Sequence, residues 1–245
     1  MTILVTGGGG GLGRATATRL GAAAITREDG DLSRMSEVHR LAGQIAERYP
    51  DLQVLINNAG TSRFTRQLTP DGLETTFATN YMAPYVLSNL LLPVLQINRG
   101  TIVNVGSEQH RWVRAIPWED MQCARGWKPV EQYSLTKLYL VMFSRELARR
   151  APAITSVCVS PGFLHTNLGR YAVGGFRLFL ALARPLQRSP EHGAEAVIHA
   201  MQSKDSGAYF RGKQEIAPSK LALDRASAAR LWELGTPWLE PAQVG

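Results

Sequence analysis

The chain has no long apolar run, no basic cluster and no cysteine framework, and each absence removes a class of protein. Nowhere do its 245 residues reach the roughly 18 consecutive apolar residues that a membrane-spanning helix needs, so no span is expected. Cys123 and Cys158 are the two cysteines, in neither C-x-x-C nor metal-ligand spacing. They are expected to be structural thiols of a reducing cytosol, which predicts a cytoplasmic protein without a metal site. Lys and Arg outnumber Asp and Glu by 27 to 20, a net charge of +7, yet no run of five basic residues occurs. That excess suits a phosphate-bearing ligand or an acidic partner and gives no nucleic-acid footprint. The opening Met1-Thr2-Ile3-Leu4-Val5-Thr6 is strand-like, without the charged leader and apolar core of a signal peptide. A charged fraction of 19% and a hydrophobic fraction of 44% belong to a folded globular chain. The length suits one α/β domain over residues 1–245.

What is present alternates between strand-like and helix-like segments. Ile3-Leu4-Val5 reads as a buried strand and runs into five consecutive glycines, Gly7 to Gly11, before a helix through Arg14 to Leu20. A glycine run between strand and helix lets the backbone approach a pyrophosphate at the helix N-terminus. The competing reading, a flexible linker, does not suit a run that joins the two elements directly. Ala22 to Thr26 is a weak second strand, and Ser33 is placed to cap a helix from about Met35 to Glu47. Val54-Leu55-Ile56 and Thr101 to Val105 read as buried strands, with a long helix from Asn80 to Leu95 between them. After a polar and aromatic excursion, a helix carrying Tyr133 leads to a strand over Ile154 to Val159. A helix near Pro190 to Gln202 and a short strand at Ala208-Tyr209-Phe210 complete the pattern. Strands separated by helices imply a parallel sheet, with ligands outside the carboxyl ends of its strands.

Tyr133 and Lys137 lie four residues apart, one helical turn, and so share a helix face. Free side chains titrate near about 10 and about 10.4. An ammonium beside a phenol favours phenolate, which equips the pair for proton transfer. Alone the spacing is common on solvated helix faces. It gains weight because Gly7, Asn57, Ser107 and Ser160 follow strands at the same sheet edge.

Thr6-Gly7 with Gly11-Leu12-Gly13, Asn57-Asn58-Ala59-Gly60, Asn80, Ser107, Tyr133 with Lys137, and Pro161-Gly162 with Thr166 together resemble the motif series of the short-chain dehydrogenase/reductase family. Thr79 to Pro84, Tyr133 to Leu138, Gly207 to Phe210, Ala217-Pro218-Ser219 and Arg230 to Glu233 are most similar to its retinol-dehydrogenase-like branch. The resemblance implies a Rossmann-like doubly wound sheet and an NAD(P)-dependent enzyme. It assigns Tyr133 as general acid or base, Ser107 as the group polarising the substrate oxygen, and Lys137 to the nicotinamide ribose. Asn80 would hold a relay water. Gly7, Gly11, Leu12, Gly13, Asp31, Leu32, Asn58, Ala59, Gly60, Pro161, Gly162 and Thr166 would line the cofactor site. Helices near 80–95 and 133–150 resemble those that pair in family dimers, which leaves a homo-oligomer open.

One departure is plain. Only Arg27 to Gly30 separate the second strand from Asp31-Leu32, so about twenty residues of a βαβ unit are missing. The sheet is expected to lack one edge strand and its helix, with the adenosine side of the site shortened. Arg27, first after the second strand, suits a 2′-phosphate and favours NADP(H) over NAD(H), unless Glu28 or Asp29 takes the ribose. Trp112, Val113, Ile116, Trp118, Met121 and Trp127, with the aromatic stretch Leu168 to Leu186, make regions 108–132 and 163–190 the expected substrate walls. Half of these residues would serve as plain core. Their character fits a bulky hydrophobic carbonyl or secondary alcohol. His110 and His165 lie near the expected mouth, and Gly175 to Leu186 has a weaker reading as a membrane-surface helix. The alternatives are non-redox proton transfer at Tyr133 (cyclisation, dehydration or isomerisation) and a non-catalytic scaffold, which would need none of the four site residues.

Overall fold

The computed structural model describes residues 1–164 and 187–241. Its strands are β1 (Thr2–Thr6), β2 (Ala23–Ile25), β3 (Leu52–Asn57), β4 (Thr101–Val105), β5 (Thr155–Ser160), β6 (Tyr209–Arg211) and β7 (Gln214–Glu215). They form one sheet in the order β2-β1-β3-β4-β5-β6-β7, parallel throughout except for the final pair. Successive residues of each central strand enter opposite apolar clusters. Ile3, Val5, Val54, Ile56, Val103, Val105, Val157 and Val159 face one side. Leu4, Leu52, Leu55, Ile102 and Cys158 face the other. Both faces of the sheet are therefore buried, as continuous apolar strands require. Each fully buried aliphatic side chain contributes about 1.5–3 kcal/mol.

Helices α1 (Gly11–Leu20) and α7 (Pro190–Met201) pack together on the first side. On the second lie α2 (Met35–Arg48), α4 (Ala83–Leu90), α6 (Pro129–Arg150) and α8 (Arg225–Gly235), with α3 (Thr75–Phe77) and α5 (Leu92–Ile97) at the ends of α4. This is the expected doubly wound arrangement. β2 is the sheet edge, and residues 26–34 carry neither helix nor strand before α2. The family's additional strand and helix are thus absent where the sequence predicts. The sheet nevertheless counts seven strands, because the two-residue antiparallel β7 is added at the far edge.

Local details depart from expectation. Ser33 does not cap α2: its hydroxyl donates to Asp31 Oδ1, and the N-cap position is Arg34. The Met35 amide is held instead by Asp71 Oδ2 at 3.0 Å, from a distant turn. The helix expected over Asn80 to Leu95 begins earlier and is broken by a π-helical turn over Ala78–Met82. β7 and α8 were not expected from the sequence. α8 carries a readable signal: Asp224 accepts from the Ser227 amide at its start, and Ala228, Leu231, Trp232 and Gly235 are buried at helical spacing.

Candidate active site

The carboxyl ends of β1, β3, β4 and β5 open on a cleft of about 920 Å³. The β1–α1 turn forms its floor. Gly7 has φ +69°, and a Cβ there would come 2.9 Å from the Ala59 Cα. A Cβ on Gly13 would strike the Gly7 carbonyl oxygen and Asn58 Nδ2. Thr6 Oγ1 accepts from the Asn58 and Ala59 amides at 3.1 and 3.0 Å, and Asn58 Nδ2 donates to the Thr6 carbonyl at 2.8 Å. The turn is therefore locked to the loop after β3, and its bare backbone faces the cleft at the N-terminus of α1. That cradle fits the pyrophosphate of a dinucleotide.

At the end of β2, Arg27, Glu28, Asp31 and Leu32 line the same cleft. Asp29 does not. Its Oδ2 accepts from the Thr26 amide and hydroxyl at 2.8 and 3.0 Å, while Arg40 donates to the Asp29 carbonyl at 2.6 Å. Among the described residues no carboxylate pairs with Arg27, which is exposed. Asn58, Ala59, Gly60, Pro161 and Gly162 complete the expected cofactor wall. Thr166, His165 and the stretch Leu168 to Leu186 lie outside the described residues.

At the other end are Ser107, Tyr133 and Lys137. Pro129 starts α6 with a fixed φ, and Glu131 in its first turn complements the helix dipole. Tyr133 and Lys137 stand on its cleft-facing side, with Lys137 Nζ 5.6 Å from the Tyr133 ring centroid. Nζ donates to the Val105 carbonyl at 2.8 Å. The sequence leads one to expect a phenol pulled down by the ammonium. Burial overrides it: it pushes Tyr133 up to about 12, against the opposing Ser107 hydrogen bond. Burial also pulls Lys137 down to about 8. At neutral pH the phenol therefore keeps its proton.

Asn80 lies behind the cleft wall, in the π-helical turn. Its Oδ1 accepts from the Thr61 amide at 2.8 Å, and its Nδ2 donates to the Thr61 carbonyl and Thr136 Oγ1 at 2.9 and 3.2 Å. Both ends of the amide are engaged by protein, so the side chain ties the loop after β3 to α6. The π turn adds one residue to the helical path, and such insertions concentrate at functional sites.

Ser107 begins a 3-10 turn over Glu108–Trp112, and its Oγ accepts from the Gln109 amide at 3.3 Å. His110 was expected near the mouth; it is instead fully buried and outside the cleft lining. Its Nε2 accepts from the Ser219 amide at 3.1 Å. The proton must then sit on Nδ1, which donates to the Ser107 carbonyl at 2.7 Å. Burial lowers the His110 pKa, keeping the ring neutral.

The expected aromatic wall is also revised. Val113, Ile116, Trp118, Met121 and Trp127 pack against the core, and Trp112 is exposed. Among the described residues, Phe64, Val130, Phe163 and Leu164 also contribute apolar surface to the cleft lining. The sequence offered no periodic signal for these, because they come from loops and one helix start. No helix among the described residues is long and apolar enough to cross a membrane. Both cysteines are free and buried, as expected.

Residues 23–173 match the short chain dehydrogenase family. Mouse retinol dehydrogenase 14 is 31% identical over 95% of this chain and 84% of its own length. Mouse polyprenol dehydrogenase is 31% identical over 84% of this chain and 65% of its own length. The crystal structure of an uncharacterised Mycobacterium paratuberculosis protein has a TM-score of 0.76 at 29% identity, covering 97% of this chain and 92% of that one. The glycine turn, the serine after β4 and the tyrosine–lysine pair of α6 thus occur in a chain that belongs to the short-chain dehydrogenase/reductase family, an NAD(P)-dependent oxidoreductase of the retinol-dehydrogenase-like branch.

Proposed function

We propose that the protein is an NADP(H)-preferring oxidoreductase of bulky apolar carbonyls and their alcohols. The observation that carries the preference is Arg27, exposed on the cleft wall at the end of β2, while the nearby Asp29 is tied to Thr26. A guanidinium there recognises a 2′-phosphate, whereas Glu28, exposed on the same wall, is the carboxylate that would recognise the ribose hydroxyls of NAD(H). The substrate class rests on the apolar side chains Phe64, Val130, Phe163 and Leu164 in the lining of the cleft that holds Tyr133. It accords with two relatives named for retinol and polyprenol, both long apolar alcohols.

In this reading the bound nucleotide supplies the hydride to the carbonyl carbon in reduction and takes it back in oxidation. Ser107 Oγ–H donates to the carbonyl oxygen and Tyr133 Oη–H gives that oxygen its proton, so the product is the neutral alcohol. Lys137 Nζ holds the nicotinamide ribose and stabilises the phenolate that remains. Asn80 keeps Gly60 and Thr61 in place behind the ammonium. Oxidation runs the same proton path backwards, with Tyr133 as base.

Titration of the protein with NADPH and with NADH tests the cofactor. NADPH is expected to bind about tenfold more tightly or better, the scale of one charge-assisted contact. Arg27→Ala is expected to remove most of that difference. Equal affinities would overturn the preference. Failure of both nucleotides to bind would favour proton-transfer chemistry at Tyr133. NADPH consumption with a panel of apolar aldehydes and ketones, retinaldehyde among them, tests the substrate class.

A further inference from the structure

We propose that His110 is a positioning residue: it couples the segment Ala217–Ser219, beyond the sheet, to the active-site Ser107. The inference rests on the reading of Ser107 as the donor to the substrate oxygen. The imidazole is fully buried and has a protein partner at each nitrogen. Nδ1 donates to the Ser107 carbonyl at 2.7 Å, and Nε2 accepts from the Ser219 amide at 3.1 Å. The ring is gripped on a third side by Tyr209, at 4.8 Å between centroids in an edge-on contact. Tyr209 is held in turn by its hydroxyl, which donates to Glu108 Oε1 at 2.6 Å. Arg111 ion-pairs with Glu108 and donates to the Ala217 carbonyl.

Ser107 sits just past β4 in extended backbone, φ −160°, and its hydroxyl accepts from the Gln109 amide at 3.3 Å and hydrogen-bonds the Tyr133 side chain. Its backbone carbonyl accepts from His110 twice, from Nδ1 at 2.7 Å and from the backbone amide at 3.2 Å, and the ring supplies the shorter bond. Loss of the ring bond would loosen ψ of Ser107 and the turn that follows it, and with them the aim of Oγ. The neutral ring, with its proton on Nδ1, therefore sets the orientation of the donor without touching substrate.

Two substitutions separate the two ends of the ring. Asn places an amide nitrogen as many bonds from Cβ as Nδ1, so it retains the bond to Ser107. Gln reaches as far as Nε2, so it retains a partner for Ser219 and loses Ser107. With NADPH and the best carbonyl of the panel, His110→Gln is expected to lower kcat by about tenfold or more, leaving the KM for NADPH within about twofold. His110→Asn is expected to restore most of that loss. In a Ser107→Ala background, His110→Gln should lower kcat by less than about twofold, since no hydroxyl remains to be oriented. Equal loss in both backgrounds, or a folded His110→Asn enzyme slowed by more than about tenfold, would overturn the proposal, and the second outcome does not depend on whether His110→Gln folds. Slow Ser107→Ala with full-speed His110→Gln would defeat the proposal alone. Full-speed Ser107→Ala would defeat the underlying reading of Ser107, and this inference with it.

Discussion

Tyr133 holds its proton well past neutrality, whereas Lys137, one turn away, is poised to lose its own. Burial causes both shifts, to about 12 for the phenol and about 8 for the ammonium. A reduction needs the phenol protonated and, in the proposed reading, the ammonium charged. For reduction, kcat/KM is therefore expected to be level around neutrality and to fall as pH rises through about 8, where Nζ loses its charge. A profile still level well above that point would remove the ammonium from the mechanism. Tyr133→Phe is expected to lower turnover by about 10²–10⁴-fold or more at every pH, the usual contribution of a positioned acid. Loss of one hydroxyl changes little volume, so Tm and nucleotide affinity should hold. Near wild-type turnover in that variant would make the motif an unused inheritance. That Tyr133, Lys137 and Ser107 share one cleft is legible in the sequence, because spacing along a helix and position after a strand are local facts. Their titration is not, because it depends on how much protein covers them.

At the scale of elements, the β1–α1 turn makes the sharpest test. Gly13 has no room for a Cβ, which would meet the Gly7 carbonyl oxygen and Asn58 Nδ2. A Cβ on Gly9 would meet nothing closer than Thr26 Cγ2 at 3.8 Å. Gly13→Ala is therefore expected to destabilise the fold by roughly 1–3 kcal/mol, with Tm falling by several degrees. Gly9→Ala should leave Tm within about a degree. Equal effects in thermal melts would mean that the turn is not locked as described. The same contrast marks what the sequence reveals of elements. β-branched apolar runs identified β1, β3, β4 and β5, because a strand buried on both faces writes its environment into every residue. The cap of α2 was misassigned because Asp71 arrives from 36 residues away, and no local pattern reports that. The π turn at Asn80 was invisible because one inserted residue leaves an apolar run looking like a continuous helix.

Across the whole molecule, α8 decides which surface is left for other chains. It lies on α6 and over α4: Tyr85 Oη donates to the Trp232 carbonyl at 3.0 Å, and Tyr81 Oη to that of Leu231 at 3.3 Å. Trp232 stacks on Phe143 at 5.8 Å, and Arg150 reaches both the Trp232 ring and Glu233. The sequence resemblance leaves pairing of these two helices with a second copy open, and α8 covers the part of their surface that carries Tyr81, Tyr85 and Phe143. The full chain is expected to run as a monomer in light scattering. Truncation after Asp224 should uncover Tyr81, Tyr85 and Phe143 and cause self-association. A dimer of the full chain built on α4 and α6 would refute this.

The bare edge at β2 bears on the tempo of the catalytic cycle. With neither strand nor helix between β2 and α2, the adenosine end of a bound nucleotide would be offered a single turn, braced by Asp29 and Arg40 and carrying Arg27. Fewer contacts at one end shorten residence, since affinity differences between related complexes fall mainly on dissociation. Departure of spent nucleotide should then be quick, and the bond-making step should govern the steady state. Nucleotide carrying deuterium at the transferred position is accordingly expected to slow kcat itself by about the full intrinsic isotope effect, where an enzyme limited by product release would mask it.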